Sequence, residues 1–346
     1  MFCFLQAEVQ AQVLPWFNYW SSGVREMAAL TEDVPEKTRY GAFVKLNNGN
    51  VLYARHNKAT EGMPTVVLMN GLPDGLDNWR SLEPSLIEKG YGVLAFDFRG
   101  QNNTLAINGT NFGDLHWKKQ VEDVKALLEF FGLKKVVVAG LSYGGGIALG
   151  FAGTYPEKVL HTFTFAPFVE PVQPQDNQLQ DMVKNHLEKN PGADREKVFE
   201  ELFRYLVYTT YPLSEPSMLS HPLKPEAVTR MALGIRDMNV PHMVQRLAHQ
   251  SLTIIGGSYD LAVPLDVLEK VWEKTPDNIR STFFVVSTGH RITTWRPEMS
   301  ATIIDRVLRA DGIKPNTIYS VDERSKEFFH TQSAIRLTKI RCEQAL

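Results

Sequence analysis

The sequence predicts an α/β protein built on a mostly parallel sheet of eight strands flanked by helices. Short apolar runs alternate with helix-like patterns through the middle of the chain, and most runs end in a turn signal containing Gly, Pro, Asn or Asp. This alternation is typical of parallel strands joined by crossover helices. The chain has 346 residues, of which 43% are hydrophobic and 22% charged, so it is long enough to bury a large core.

The first two strands form a predicted hairpin around Asn47-Asn48-Gly49, because Asn-Gly supplies the positive φ angles that a tight turn needs. The later strands are short, mostly continuous apolar runs and are expected to be buried. The eight predicted strands are residues 40–46, 50–56, 65–69, 93–98, 136–140, 161–165, 252–256 and 281–286.

Helices are predicted wherever apolar residues recur every three or four positions. The first of them ends at Gly132, where a helix cap is expected. Helix-compatible residues also follow the fifth strand directly. The predicted helices with clear periodicity are residues 121–131, 264–273 and 297–308.

The pattern changes between residues 170 and 248, where strands vanish and helical segments are broken by prolines. We predict a helical cap inserted after the sixth strand, over the carboxyl edge of the sheet. Core filling is the favoured role for its methionines, and a deformable apolar wall for a substrate is the alternative. These methionines are Met182, Met218, Met231, Met238 and Met243.

The predicted organisation has a core, the cap and two extensions. Residues 37–169 and 249–312 form the core, and the cap at 170–248 interrupts it. Residues 1–36 are an N-terminal extension and residues 313–346 a C-terminal one, and neither has a predicted function.

Ser142 is the first candidate for chemistry. It is the central residue of Gly140-Leu141-Ser142-Tyr143-Gly144, which lies between a predicted strand and a helix-compatible stretch. A strand that turns abruptly into a helix strains its central residue, and flanking glycines remove the Cβ atoms that would clash. The alternative is a purely structural turn.

A serine needs a base that takes its proton and a carboxylate that orients the base. His290 and Asp260 each follow a predicted strand and are expected at the same sheet edge as Ser142. The alternatives are a surface histidine and a turn-forming aspartate. Glu170 is the second candidate for the acid. The order Ser142, Asp260, His290 is that of nucleophile, acid and base in one known fold.

Two backbone N–H groups are expected to bind the oxyanion of a tetrahedral intermediate. One belongs to Tyr143, directly after the serine. The other belongs to Leu72, in the loop after the third strand, where Asn70 and Gly71 support the loop. A simple turn is the alternative interpretation of this loop.

As an ordered set, these motifs resemble the α/β-hydrolase superfamily, in the branch with a helical cap. The resemblance covers about residues 38–310 and rests on Asn70-Gly71-Leu72-Pro73, Trp79, Asp97-Phe98-Arg99-Gly100, the pentapeptide around Ser142, Tyr155-Pro156-Glu157-Lys158-Val159, Asp260 and Gly289-His290.

The resemblance implies a serine hydrolase with a Ser-His-Asp triad and no cofactor. A carboxylic ester, with an apolar acyl group, is the expected small-molecule substrate. The family's common histidine at this loop is Asn70 here, and some carbon–carbon bond hydrolases and acyltransferases of the superfamily also have an asparagine there, so these activities are alternatives. A non-catalytic ligand-binding protein of the same fold is another. A serine at position 142 argues against dehalogenases and epoxide hydrolases, which use an aspartate.

Composition limits the remaining possibilities. A formal net charge of −2 gives no electrostatic footprint for nucleic acid, and no apolar window approaches the roughly 20 residues that span a membrane. Cys3 and Cys342 lack metal-ligand spacing, and we expect no metal. A cytoplasmic protein is expected, with a truncated secretory signal as the alternative. The oligomeric state is left open.

Overall fold

The computed structural model describes residues 41–72, 74–108, 113–168, 173–195, 197–199, 201–202, 225–260, 262–321 and 329–332. Within these residues a single sheet has the strand order β1-β2-β4-β3-β5-β6-β7-β8-β9-β10. Its strands are β1 (Ala42–Lys45), β2 (Val51–Asn57), β3 (Thr65–Met69), β4 (Gly92–Phe96), β5 (Val136–Leu141), β6 (Val159–Phe165), β7 (Leu252–Gly257), β8 (Arg280–Val286), β9 (Thr317–Val321) and β10 (Phe329–Gln332).

The sheet is mostly parallel, as the sequence predicts. Strands β3 to β9 pair in parallel, while β2 runs antiparallel to β4 and each outer strand is antiparallel to its neighbour. In the first hairpin only Gly49 takes a positive φ, of 87°. The carboxyl ends of β3, β5, β7 and β8 therefore meet at one edge, where loops can bring side chains together.

The prediction of eight strands is wrong, because the described sheet contains ten. The additional strands β9 and β10 lie in residues 313–346, which we predicted as an extension beyond the core. Only Tyr319 and Val321 of β9 are buried, while its other three residues are partly exposed. Such a half-buried strand lacks the continuous apolar run on which the sequence prediction depended.

Helices flank the sheet and fill most of its crossovers. For the predicted helices 121–131 and 297–308, the predicted and observed bounds agree within a few residues. The helices are α1 (Leu82–Glu88), α2 (Asn102–Asn108), α3 (Trp117–Phe130), α4 (Tyr143–Thr154), α5 (Gln173–Lys189), α6 (Pro225–Gly234), α7 (Val240–Val244), α8 (Leu265–Lys274), α9 (Ile292–Trp295) and α10 (Pro297–Leu308).

The segment between β6 and β7 is helical in its described part, where α5, α6 and α7 lie and strands are absent. Met231, Met238 and Met243 are buried there. The Met238 sulfur is 2.9 Å from the position that a Cβ on Gly150 of α4 would occupy. These three methionines fill space in the core, as the favoured interpretation holds. The N-terminal extension, Glu170 and Met218 lie outside the described residues.

A search of the described helices finds none with the length and apolar character needed to cross a membrane.

One buried ion pair joins β2 to the helix after β3. Arg55 Nε donates to Glu83 Oε2 at 2.8 Å, and Arg55 Nη2 donates to the other oxygen of the same carboxylate. Both residues are buried, with 3% and 5% of their surfaces exposed. A charge of this kind is stable in the interior only while its partner is present.

Replacement of Glu83 by Gln is therefore expected to lower the free energy of unfolding by about 3 kcal/mol, because it removes the carboxylate that pairs with the buried Arg55 guanidinium. The matched control is Glu122→Gln, which breaks the exposed pair with Lys119 and should cost less than about 1 kcal/mol. Urea unfolding measures both values. Equal losses in the two variants would contradict the assigned role of the buried pair.

Candidate active site

Ser142 lies between the end of β5 and the start of α4 in a strained backbone conformation. Its φ is 54° and its ψ is −118°, which is rare for a residue with a side chain. Three hydrogen bonds hold it: its N–H donates to the Phe165 carbonyl at 2.8 Å, and its own carbonyl accepts from the N–H groups of Gly146 at 3.1 Å and Phe168 at 2.8 Å.

The glycines around Ser142 allow backbones to pack without side chains between them. A Cβ on Gly144 would lie 2.1 Å from the Met69 carbonyl oxygen, and one on Gly140 would lie 2.1 Å from the Gly144 carbonyl oxygen. Both distances are far below van der Waals contact. The strand, the turn and the helix can therefore approach closely only because these two positions are glycine.

His290 and Asp260 form a buried pair at the ends of β8 and β7. Nδ1 of His290 is 2.8 Å from Oδ2 of Asp260, and the two residues are 3% and 6% exposed. The other carboxylate oxygen, Oδ1, accepts N–H groups from Ala262 and Val263, each at 2.8 Å. The carboxylate thus fixes the imidazole through one oxygen and its own loop through the other.

The loop after β3 connects the serine to the histidine loop. A Cβ on Gly71 would be 3.7 Å from the Ser142 Cβ and 3.1 Å from Oδ2 of Asp74. Arg291, the residue after His290, donates from Nη2 to Oδ1 of Asp74 at 3.2 Å. The turn that carries Ser142 and the loop that carries His290 therefore both contact the loop after β3.

The same contacts extend into the helical turn Leu76–Trp79. Arg291 Nη2 also donates to Oδ1 of Asn78, which accepts the Thr294 hydroxyl at 2.7 Å. Asp74 and Arg291 are both buried. Sequence reasoning gives Arg291 no role, because nothing in the local sequence indicates its distant partner.

The two predicted oxyanion donors belong to different loops: Tyr143 follows Ser142 at the end of β5, and Leu72 lies in the loop after β3. Tyr143 is the first residue of α4, and its ring is buried edge-on against Phe98 with centroids 5.6 Å apart. Burial raises the pKa of its phenol, which stays protonated at neutral pH. Leu72 follows Gly71 and is 5% exposed.

Beneath the β3 loop lies a cluster of buried amides that sequence reasoning only partly anticipated. The indole Nε1 of Trp79 donates to Oδ1 of Asn70, and Nδ2 of Asn70 donates to the Phe96 carbonyl at 2.6 Å and to Oε1 of Gln101 at 3.1 Å. Gln101 Nε2 donates to the carbonyl oxygens of Gly71 and Leu72. The supporting role predicted for Asn70 thus has a partner, Gln101, that the sequence analysis missed.

The sequence carries only part of the signal for Gln101, namely its position after a predicted strand. Gln101 directly follows the motif Asp97-Phe98-Arg99-Gly100, so it stands after the carboxyl end of β4, next to β3 in the sheet. Asp97 itself accepts the N–H groups of Leu76 at 2.7 Å and Asn103 at 3.1 Å, which is a structural role in the turn.

Among the described side chains, no group of three or more His, Cys, Asp or Glu is arranged to hold a metal ion. His161, another buried histidine, contacts the hydroxyl of Thr253 at 2.9 Å, and burial lowers its pKa to about 3. It lies within β6, away from the strand ends, and its environment keeps it neutral.

The contacts around the glycines predict that a methyl group at Gly144 lowers stability strongly and that one at Gly192 does not. Gly144→Ala is expected to lower the melting temperature strongly or to prevent folding, because backbone at 2.1 Å cannot yield to a methyl group. Gly192→Ala is the control, since a Cβ there meets nothing within 4 Å. Circular dichroism melts compare the two. A Gly144 variant that melts like the wild type would contradict the proposed packing.

Comparison with known proteins agrees with this architecture. A 2-hydroxy-6-oxononadienedioate/2-hydroxy-6-oxononatrienedioate hydrolase of Pseudomonas putida is 28% identical over 257 residues, covering 69% of this chain and 85% of that protein. A second hydrolase with that description from the same organism is 29% identical, with 68% and 85% covered.

Solved structures share the fold. A bromoperoxidase from Bacillus anthracis superposes with a TM-score of 0.60 at 17% identity, covering 78% of this chain and 99% of that one. A meta-cleavage product hydrolase from Pseudomonas fluorescens gives 0.55 at 20% identity, with 78% and 98% covered. A family model described as alpha/beta hydrolase fold matches residues 64–296. The chain belongs to the α/β-hydrolase family.

Proposed function

We propose that the protein is a serine hydrolase in which Ser142 is the nucleophile, His290 the base and Asp260 the residue that orients the base. The observation that carries the proposal is the buried His290–Asp260 hydrogen bond of 2.8 Å at the sheet edge where Ser142 is held in a strained turn. A buried carboxylate on Nδ1 leaves Nε2 of the imidazole to accept a proton.

In the proposed reaction, His290 takes the Ser142 hydroxyl proton as the serine oxygen attacks a substrate carbonyl. Asp260 stabilises the resulting imidazolium. The tetrahedral intermediate then collapses, the bond to the leaving group breaks, and His290 returns the proton to that group. Water, deprotonated by His290, hydrolyses the acyl-serine in the second half of the cycle.

The negative charge that develops on the carbonyl oxygen is assigned to the N–H groups of Leu72 and Tyr143. The proximity of Gly71 to the Ser142 side chain supports this assignment for the β3 loop. Tyr143 contributes through its backbone, since its side chain is buried in the core. Fixed donors of this kind stabilise the transition state without reorganisation during the reaction.

We infer that the bond hydrolysed is a carbon–carbon bond adjacent to a ketone. The sequence alone favoured a carboxylic ester, but the two Pseudomonas putida relatives favour the carbon–carbon alternative. Asn70, which the sequence analysis associated with that alternative, is fully buried, and its amide bonds to the Phe96 carbonyl and to the Trp79 indole.

The substrate class follows from the chemistry of such a cleavage. When the serine attacks a ketone, the departing carbon takes the bonding electron pair, so it must be conjugated to an electron-accepting group. A 2-hydroxy-6-oxo dienoic acid meets this need once its enol ketonises: the hydroxyl oxygen loses its proton, the carbon next to the 6-oxo group gains one, and the resulting 2-oxo group is conjugated so that it can accept the bonding pair. Cleavage then gives a dienolate, whose 2-oxygen is protonated to restore a 2-hydroxy dienoic acid.

A substrate panel tests this proposal. Wild-type protein should hydrolyse 2-hydroxy-6-oxononadienedioate with a kcat/KM at least about 100-fold above that for p-nitrophenyl acetate or butyrate, because the site is matched to a carbon leaving group. Loss of the dienol absorbance and release of p-nitrophenol are the two readouts.

The Ser142→Ala variant is the control for both reactions, and both activities should fall by several orders of magnitude. Ester turnover without cleavage of the dienol acid would replace the carbon–carbon assignment by the esterase one. Turnover of neither substrate class, with Ser142 unreactive, would favour a ligand-binding protein of the same fold.

A further inference from the structure

We propose that Gln101 is a positioning residue that aims the Leu72 N–H at the oxyanion, an inference that rests on the proposed function. The Gly71 carbonyl and the Leu72 N–H belong to one peptide unit, and in a trans peptide these two groups point in opposite directions. Gln101 Nε2 donates to the Gly71 carbonyl, so it fixes the direction of the Leu72 N–H as well.

The strand order decides which way this N–H faces. In the sheet, β3 lies between β4 and β5. Gln101 follows β4 and Ser142 follows β5, so they flank the β3 loop on opposite sides. A Gly71 carbonyl held toward Gln101 directs the Leu72 N–H toward the Ser142 side, where a Cβ on Gly71 would lie 3.7 Å from the Ser142 Cβ.

The Gly71 carbonyl accepts hydrogen bonds from more than one donor. The Asp74 N–H also reaches the Gly71 oxygen, at 3.3 Å, and Gln101 Nε2 makes a second bond to the Leu72 carbonyl at 3.2 Å. Rotation of the peptide would therefore break several bonds at once. Donation to a carbonyl also polarises its peptide unit, which strengthens the N–H as a donor.

The orientation of the Gln101 amide is itself set by Trp79. An indole can only donate, so Oδ1 of Asn70 must face Trp79 and Nδ2 must face Gln101. Oε1 of Gln101 accepts that donor and the Phe98 N–H at 3.2 Å, which leaves Nε2 for the β3 loop. The side chains of Trp79, Asn70 and Gln101 are all buried, so water does not compete for these hydrogen bonds.

Two variants of Gln101 test the inference through the rate at which a fluorophosphonate labels Ser142. Gln101→Met keeps the length but removes the donor, and labelling should slow by about 10- to 100-fold, less than the roughly 100- to 1,000-fold cost of deleting an oxyanion donor. Gln101→Glu is nearly isosteric, and its ionised carboxylate cannot donate to the Gly71 carbonyl.

The glutamate variant separates positioning from general damage. As pH falls below the pKa of the new carboxyl, its O–H can donate again, so the ratio of its labelling rate to that of the wild type should rise. Effects of pH that both proteins share cancel in this ratio. The methionine variant should show no such rise. Thr253→Val, which removes the buried hydroxyl bonds from β7 to His161 of β6 and Thr282 of β8, is the control that lowers stability without slowing labelling.

The outcomes distinguish this inference from the proposed function. A wild type that is not labelled at Ser142 contradicts the proposed function itself. A labelled wild type together with a Gln101→Met variant that reacts within twofold of it, or a flat ratio for Gln101→Glu across pH, overturns only the role of Gln101.

Discussion

The site depends on the strained backbone of Ser142, which the surrounding packing holds in place. A positive φ of 54° at a residue with a side chain costs about 1–3 kcal/mol. Backbone hydrogen bonds of Ser142 with Phe165, Gly146 and Phe168 offset this cost, and the missing side chain of Gly144 lets the backbone of β3 approach. The same close approach brings Gly71 beside the serine. The geometry of the nucleophile and that of the β3 loop are therefore consequences of one packing constraint.

Buried polar contacts convert this packing into a defined arrangement of loops. Asp74 and Arg291 join the β3 loop to the loop of His290, while Gln101 joins the β3 loop to the end of β4. Asp260 fixes the imidazole and closes its own turn with two backbone N–H groups. Each of these groups sits in the interior, where an unpaired polar atom is costly, so alternative loop positions are disfavoured.

Much of the fold was accessible from the sequence because its signals are local. Continuous apolar runs indicated the buried strands, and the glycine-flanked serine indicated the sharp turn between β5 and α4. Strand β9 was not predicted because only two of its residues, Tyr319 and Val321, are buried, so it lacks the continuous apolar run that marks a buried strand. The contacts of Gln101 with Gly71 and of Asp74 with Arg291 were missed for another reason. Their residues are 30 and 217 positions apart, and such distant contacts can be inferred only once the strand order is known. The choice between an ester and a carbon–carbon bond depended on relatives.

The central claim is that Ser142 is an activated nucleophile. Its most direct test is mass spectrometry of the protein after reaction with a fluorophosphonate, with the modified residue located by peptide sequencing. The account predicts one phosphonyl adduct per chain, on the peptide that contains Ser142, and none on a folded Ser142→Ala variant. An adduct on another residue, equal labelling of that variant, or a wild type that stays unmodified would contradict it.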